Sequence, residues 1–194
     1  MTLLQALPIN KTKLQVLFEI YAEGEDYLRN IEKKTKINPS LVHRILRSLT
    51  TARIITKKAK GKEKYYELTT EGEDQFSSLL ESFHLESVAQ RTKEIQTFLK
   101  LLLNHKEVLF SCQKIYLFGS FVQGYVTKES DIDFLAITNE RKKIMAWCRE
   151  ASLVIGREIN PLIYTPTKFT SDLSEKEPLL SSIVNKIKNR VIIK

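Results

Sequence analysis

The chain has 194 residues, room for one or two domains and a real core, and its 42% hydrophobic and 28% charged content is ordinary for a globular protein. Its longest apolar runs, such as FLKLLL at 98–103, are far too short to span a membrane, and the N-terminus lacks the charged segment and cleavage site of a signal peptide. The expectation is a cytoplasmic protein with no membrane contact, and two cysteines and three scattered histidines argue against a disulfide framework or a His-rich zinc site. The net charge of +8 is unevenly spread: through Thr69 there are 14 Lys and Arg against 7 Asp and Glu, a net of +7, leaving +1 for the rest. That asymmetry points to a polyanion-binding N-terminal module joined to something electrically different. The plain alternative is a solvated lysine-rich surface.

Taken in chain order, Leu14, Val16, Leu17, Ile20 and Tyr21 fall at helical spacing, and Gly24 ends that helix. Leu28, Ile31 and Ile37 mark a second, shorter helix. In NPSLVHRILRSLTTARI, Asn38 or Ser40 can cap a third helix, with Pro39 in its first turn. Leu41, Val42, Ile45, Leu46 and Leu49 form its buried stripe, leaving Ser40, His43, Arg44 and Arg47 on the outer face. IITKKAK and KYYELT then alternate like two strands of a hairpin whose tip carries Lys57, Lys58, Lys60, Lys62 and Lys64. Three helices followed by a basic hairpin resemble a winged helix-turn-helix over residues 11–70. That resemblance implies binding of double-stranded DNA, with the third helix in the major groove and the lysines on phosphates. A winged helix used only for protein contacts is the alternative.

Thr70 and Glu73 have the spacing of a capping box. Phe76, Leu79, Leu80 and Phe83, then Leu85, Val88, Ile95, Phe98, Leu99, Leu101 and Leu102, predict one long helix or two abutting ones over 71–105. This connecting segment packs in a core or serves as the seam of a homodimer.

In the last third, KIYLF, IDFLAI and REINPLIY read as strands, and ERKKIMAWCREASLVIG as a helix closed by Gly156. Together they predict a small α/β unit with a short mixed sheet. The whole is an α+β chain with boundaries at 1–70, 71–105 and 106–194. Asp131 and Asp133 stand at i and i+2 on a strand and so face the same way. Paired carboxylates repel unless a cation lies between them, and hard oxygen ligands suit Mg²⁺ or Mn²⁺. Gly119 and Ser120 form a turn whose amides and hydroxyl can hold phosphate, and Gly124 lets the following turn fold tightly.

GSFVQGYVTKESDID resembles the Gly-Ser, ten residues, Asp-x-Asp signature of the polymerase-β-like nucleotidyltransferases, and within them the minimal nucleotidyltransferases of prokaryotes, from about residue 91 to the C-terminus. The resemblance implies Asp131 and Asp133 on metal and Gly119, Ser120, Gly124 and Ser130 about a nucleoside triphosphate, ATP first. It also implies transfer of a nucleoside monophosphate to an acceptor. The family's third carboxylate falls on Asn160, which is neutral and cannot act as a base. Glu158, two residues earlier on the same face, is the candidate substitute, or else a partner for Arg157 or a lysine. Two readings stay open: a transferase, with a toxin partner protein as the implied acceptor, and a transcription regulator that senses nucleotide without turnover. The tail predicts a helix on Leu179, Leu180, Ile183, Val184 and Ile187, an edge strand at VIIK, and solvated Lys186, Lys188 and Arg190.

Overall fold

Asn10 accepts a hydrogen bond from the Lys13 amide and so starts α1, Lys11–Glu23, which Gly24 ends at φ 78°. The computed structural model describes residues 9–194. A three-residue strand, β1 (Glu25–Tyr27), leads into α2 (Leu28–Thr35). The third helix, α3 (Pro39–Thr51), is capped by Asn38, whose side chain accepts from the Ser40 amide, with Pro39 in the first turn. The strands β2 (Ile55–Lys60) and β3 (Glu63–Leu68) then form an antiparallel hairpin, and β1 adds to its other edge in the order β1-β3-β2. Leu17 and Ile20 of α1, Ile31 of α2, and Val42, Leu46 and Leu49 of α3 are all at or near zero exposure and form the core of a winged helix. The strand β1 was invisible in the sequence because its central residue, Asp26, is a carboxylate. It is nonetheless buried, accepting from the Tyr27 amide, Asn30 and Lys34.

Thr69, not Thr70, caps the next helix, α4 (Thr70–Ala89). Its hydroxyl accepts from the Gly72 amide and donates to the Arg53 carbonyl. A Cβ on Gly72 would stand 2.1 Å from the Ile54 carbonyl oxygen, so the exit of the hairpin and the first turn of α4 meet only through a glycine. By contacts the chain divides into Met1–Phe83 and His84–Lys194, so the boundary falls inside α4.

In the second unit, α5 (Lys93–Asn104) and α6 (Lys106–Ser111) precede a four-stranded mixed sheet of order β6-β5-β4-β7. Its strands are β4 (Lys114–Phe118), β5 (Ile132–Ile137), β6 (Ile159–Tyr164) and β7 (Arg190–Ile192). The pair β5 and β6 runs parallel, joined by α8 (Arg141–Ile155), and the other pairs are antiparallel. Alternation sorts the two faces. Ile132, Phe134 and Ala136 pack with Ile95, Phe98 and Trp147 of α5 and α8. Leu135 and Ile137 face Leu180 and Ile183 of α10 (Pro178–Asn185). Thus the apolar stripe of α5, a candidate dimer seam in the sequence, is filled from within this unit, where Phe98 lies 5.6 Å from Trp147 ring to ring.

The tail departs from expectation in two places. TPTKFTSDLS forms a separate helix, α9 (Pro166–Ser174), capped by Thr165. Arg190 is not solvated: it is 8% exposed, donates to the Val184 carbonyl and lies over the Tyr116 ring.

Candidate active site and basic surface

The turn after β4 holds Gly119 at φ 77°, ψ −157°, a conformation side chains rarely adopt. A Cβ there would come within 2.4 Å of Asp133 Oδ2, because antiparallel register sets Phe118 opposite Asp133. Glycine at 119 is therefore what lets the turn and the aspartate approach. Ser120–Gln123 forms a single helical turn, α7, closed by Gly124 at φ 86°, and the amides of Gly124 and Tyr125 both donate to the Ser120 carbonyl. Among the described residues the Ser120 hydroxyl makes no hydrogen bond.

Parallel register pairs Asp133 with Asn160, and the Asn160 amide donates to Asp133 Oδ1 at 3.2 Å. Burial pushes the Asp133 carboxyl up, the Asn160 hydrogen bond pulls it down, and nearby Asp131 pushes it up again. Asp131, half-buried just before β5, has no partner among the described residues. A half-buried carboxylate beside a second one is costly to charge, and a hard cation relieves that cost. The donor set of two carboxylates and an amide suits a hard divalent cation, which Asp131 and Asp133 would hold.

Glu158, the candidate substitute for the third carboxylate, is set beside the site through its main chain. The Ile132 amide donates to its carbonyl, which sets it level with Asp131, but its side chain is exposed. Among the described residues no group of three His, Cys, Asp or Glu converges. Nor does Glu158 hold Arg157, whose guanidinium pairs with Glu94 at 3.2 Å. The Ser130 hydroxyl is taken up within its own turn, accepting from the Thr127 amide. No sequence pattern signalled Arg91 and Arg157, which both donate to carbonyls of the 119–131 loop.

On the first unit, Ser40, His43, Arg44 and Arg47 are exposed along one face of α3, opposite its buried stripe. All five hairpin lysines are exposed, yet they are not equivalent. Lys58 is ion-paired with Glu67, and Lys60 with Glu25. Lys57, Lys62 and Lys64 have no carboxylate partner among the described residues.

A family model described as a nucleotidyltransferase domain matches residues 95–193. A Methanocaldococcus jannaschii protein, provisionally named a protein adenylyltransferase, is 31% identical over 99 residues, which are 48% of this chain and 91% of that protein. Among solved structures, a protein of Archaeoglobus fulgidus is 24% identical at a TM-score of 0.34, over 39% of this chain and 90% of that one. A MarR mutant from E. coli, complexed with operator DNA, is 20% identical at a TM-score of 0.37, over 54% of this chain and 79% of that one. The winged-helix assignment itself stands on the element order and strand register given above. No described helix is long and apolar enough to cross a membrane.

Proposed function

Because the chain belongs to the nucleotidyltransferase domain family, we propose that it moves a nucleoside monophosphate from a triphosphate, ATP first, to a hydroxyl of an acceptor protein. Its winged helix holds it on double-stranded DNA. The observation that carries the first part is the meeting of Gly119 and Asp133, which sets the Gly119-Ser120 turn against two carboxylates at one end of the sheet. In the reaction the acceptor oxygen forms a bond to the α-phosphorus as the bond from that phosphorus to the departing pyrophosphate oxygen breaks. The Ser120 hydroxyl and the turn amides hold the triphosphate, and Asp131 and Asp133 hold Mg²⁺ or Mn²⁺. When bound, such a cation supplies Lewis-acid stabilisation of the phosphoryl charge. The name of the M. jannaschii relative, a protein adenylyltransferase, supports a protein as acceptor, and a toxin partner is the acceptor that the family resemblance implies.

The test is transfer of label from ATP carrying it at the α-phosphate, with Mg²⁺ or Mn²⁺, in host lysate. Label on a protein band should appear with the wild type and not with the Asp131→Asn, Asp133→Asn double variant. Equal labelling by both would refute the site. One observation favours a second reading. Asn160 occupies the position of the third carboxylate and is turned into a hydrogen bond with Asp133, leaving no evident base for the acceptor's proton. On that reading the site binds nucleotide and signals without turnover, and the double variant loses metal-dependent ATP binding although the wild type never transfers label.

For the DNA reading, the ion pairs divide the hairpin lysines. Replacing Lys57, Lys62 and Lys64 by Ala should flatten the slope of log affinity against log salt by about 2–3, at roughly 0.9 for each phosphate no longer neutralised. Replacing Lys58 and Lys60 should change it less, since each already neutralises a carboxylate. Equal effects from the two sets, or salt-independent binding, would overturn this.

A further inference from the structure

Ser120 and Asp131 lie at opposite ends of one loop, and the chemistry requires both to hold their places at once. The loop's first half is seated by Phe121 and Val122, both buried in the core, and by Gln123, which donates to Asn189 Oδ1 at 3.4 Å, whereas hydrogen bonds within the loop are few. The Gly124 and Tyr125 amides close on the Ser120 carbonyl at one end, and Thr127 and Ser130 bond each other at the other. Two arginines from outside tie down the loop's main chain as well. Arg91, just past α4, donates from Nη1 to the Phe121 carbonyl at 3.3 Å and also to the Val122 carbonyl. These are carbonyls that a single-turn helix leaves unsatisfied. Arg157, just before β6, donates from Nη1 to the Thr127 carbonyl at 3.1 Å and to that of Lys128, while its Nη2 pairs with Glu94 Oε1 at 3.2 Å. Glu94, in the first turn of α5, has its carboxyl drawn down by its own backbone amide and by Arg157.

We infer that Arg91 and Arg157 are positioning residues that clamp the 119–131 loop from its two halves, setting the distance between the triphosphate turn and the carboxylate pair; this rests on the nucleotide-binding reading above. Neither guanidinium is assigned to the nucleotide. Each commits its Nη1 to main-chain carbonyls, and Arg157 is further anchored by an acid. At 157 the guanidinium fork is used in full, because Nη1 meets two carbonyls while Nη2 meets a carboxylate. A lysine ammonium is a point charge without that fork.

The test is calorimetric titration of the full chain with ATP and Mg²⁺, alongside hydrogen exchange of the loop amides. For Arg91→Ala and Arg157→Ala, ATP affinity should fall by about 10–100-fold, the range for loss of a residue that orients a ligating group. Amides of 120–131 should exchange faster while those of β5 do not. Arg157→Lys, the variant that best preserves folding, should recover less than half of the loss on a logarithmic scale. Unchanged loop exchange and ATP affinity within about twofold of wild type, in folded protein, would overturn the clamp. Failure of the wild type to bind any nucleoside triphosphate would instead overturn the nucleotide reading, and the loop exchange would still decide the clamp.

Discussion

Replacing Asn160 by Asp should raise nucleotidyl transfer by about 10²–10⁴-fold, the span ordinarily supplied by a positioned general base. The two side chains have the same size, and parallel register already sets position 160 beside Asp133, so the new carboxylate arrives without repacking. What changes is proton chemistry: an amide that donates to Asp133 becomes an acceptor able to take the proton of an attacking hydroxyl. The substitution has a cost that serves as a control. Asp133 is already pushed up by burial and by Asp131, and a third carboxylate in place of a donor pushes it further. Without metal the variant should melt below the wild type, and Mg²⁺ should raise its melting temperature more than that of the wild type. Transfer rates equal in wild type and Asn160→Asp would mean that Asn160 does not stand in for a missing base.

Much of this site is written in residue types whose physical reasons are local. Asp131 and Asp133 share a face because strand side chains alternate, and the flanking apolar runs mark the strand. Gly119 is legible as a turn residue, but that Asp133 is the neighbour excluding any other residue depends on the pairing of β4 with β5, which the sequence does not print. The place of Asn160 was legible from strand spacing, whereas its donation to Asp133 depends on register. For Glu158, period two gives the face but says nothing of which way its exposed side chain turns. Arg91 and Arg157 were hidden for a further reason: their partners are main-chain carbonyls, which every residue carries, so no pattern of side chains announces the contact. The same holds in the winged helix, where β1 escaped notice because a buried Asp26 is tolerable only through partners supplied by its fold.

Acid should weaken the second unit through one residue, His84, before most carboxylates are protonated. His84 is 4% exposed, and its pKa is lowered to about 4, first by burial and then by the positive charges of Arg91, Arg190 and Lys188. In the unfolded chain an imidazole titrates near pH 6.5. Between those two values the unfolded state takes up a proton that the folded state refuses, so stability falls as pH drops from about 6.5 to about 4 and is unaffected by this group above that window. The loss across the window totals about 3 kcal/mol, since each pH unit within it contributes roughly 1.4 kcal/mol. His84→Gln removes the titration and keeps a polar side chain. The stability difference between wild type and variant should therefore shrink, or change sign, as pH falls through the window. The imidazole C–H resonance assigned to His84 by its loss in the variant should titrate near pH 4. Parallel stability curves from pH 7 to 4.5, or a resonance titrating at 6.5, would defeat this account. The outcome reaches the proposed active site, because Arg91 is both one of the charges that keep His84 neutral and one hand of the loop clamp. A protonated His84 would repel that guanidinium, so nucleotide affinity should hold through most of that window and weaken only near pH 4, where the folded imidazole itself takes up its proton.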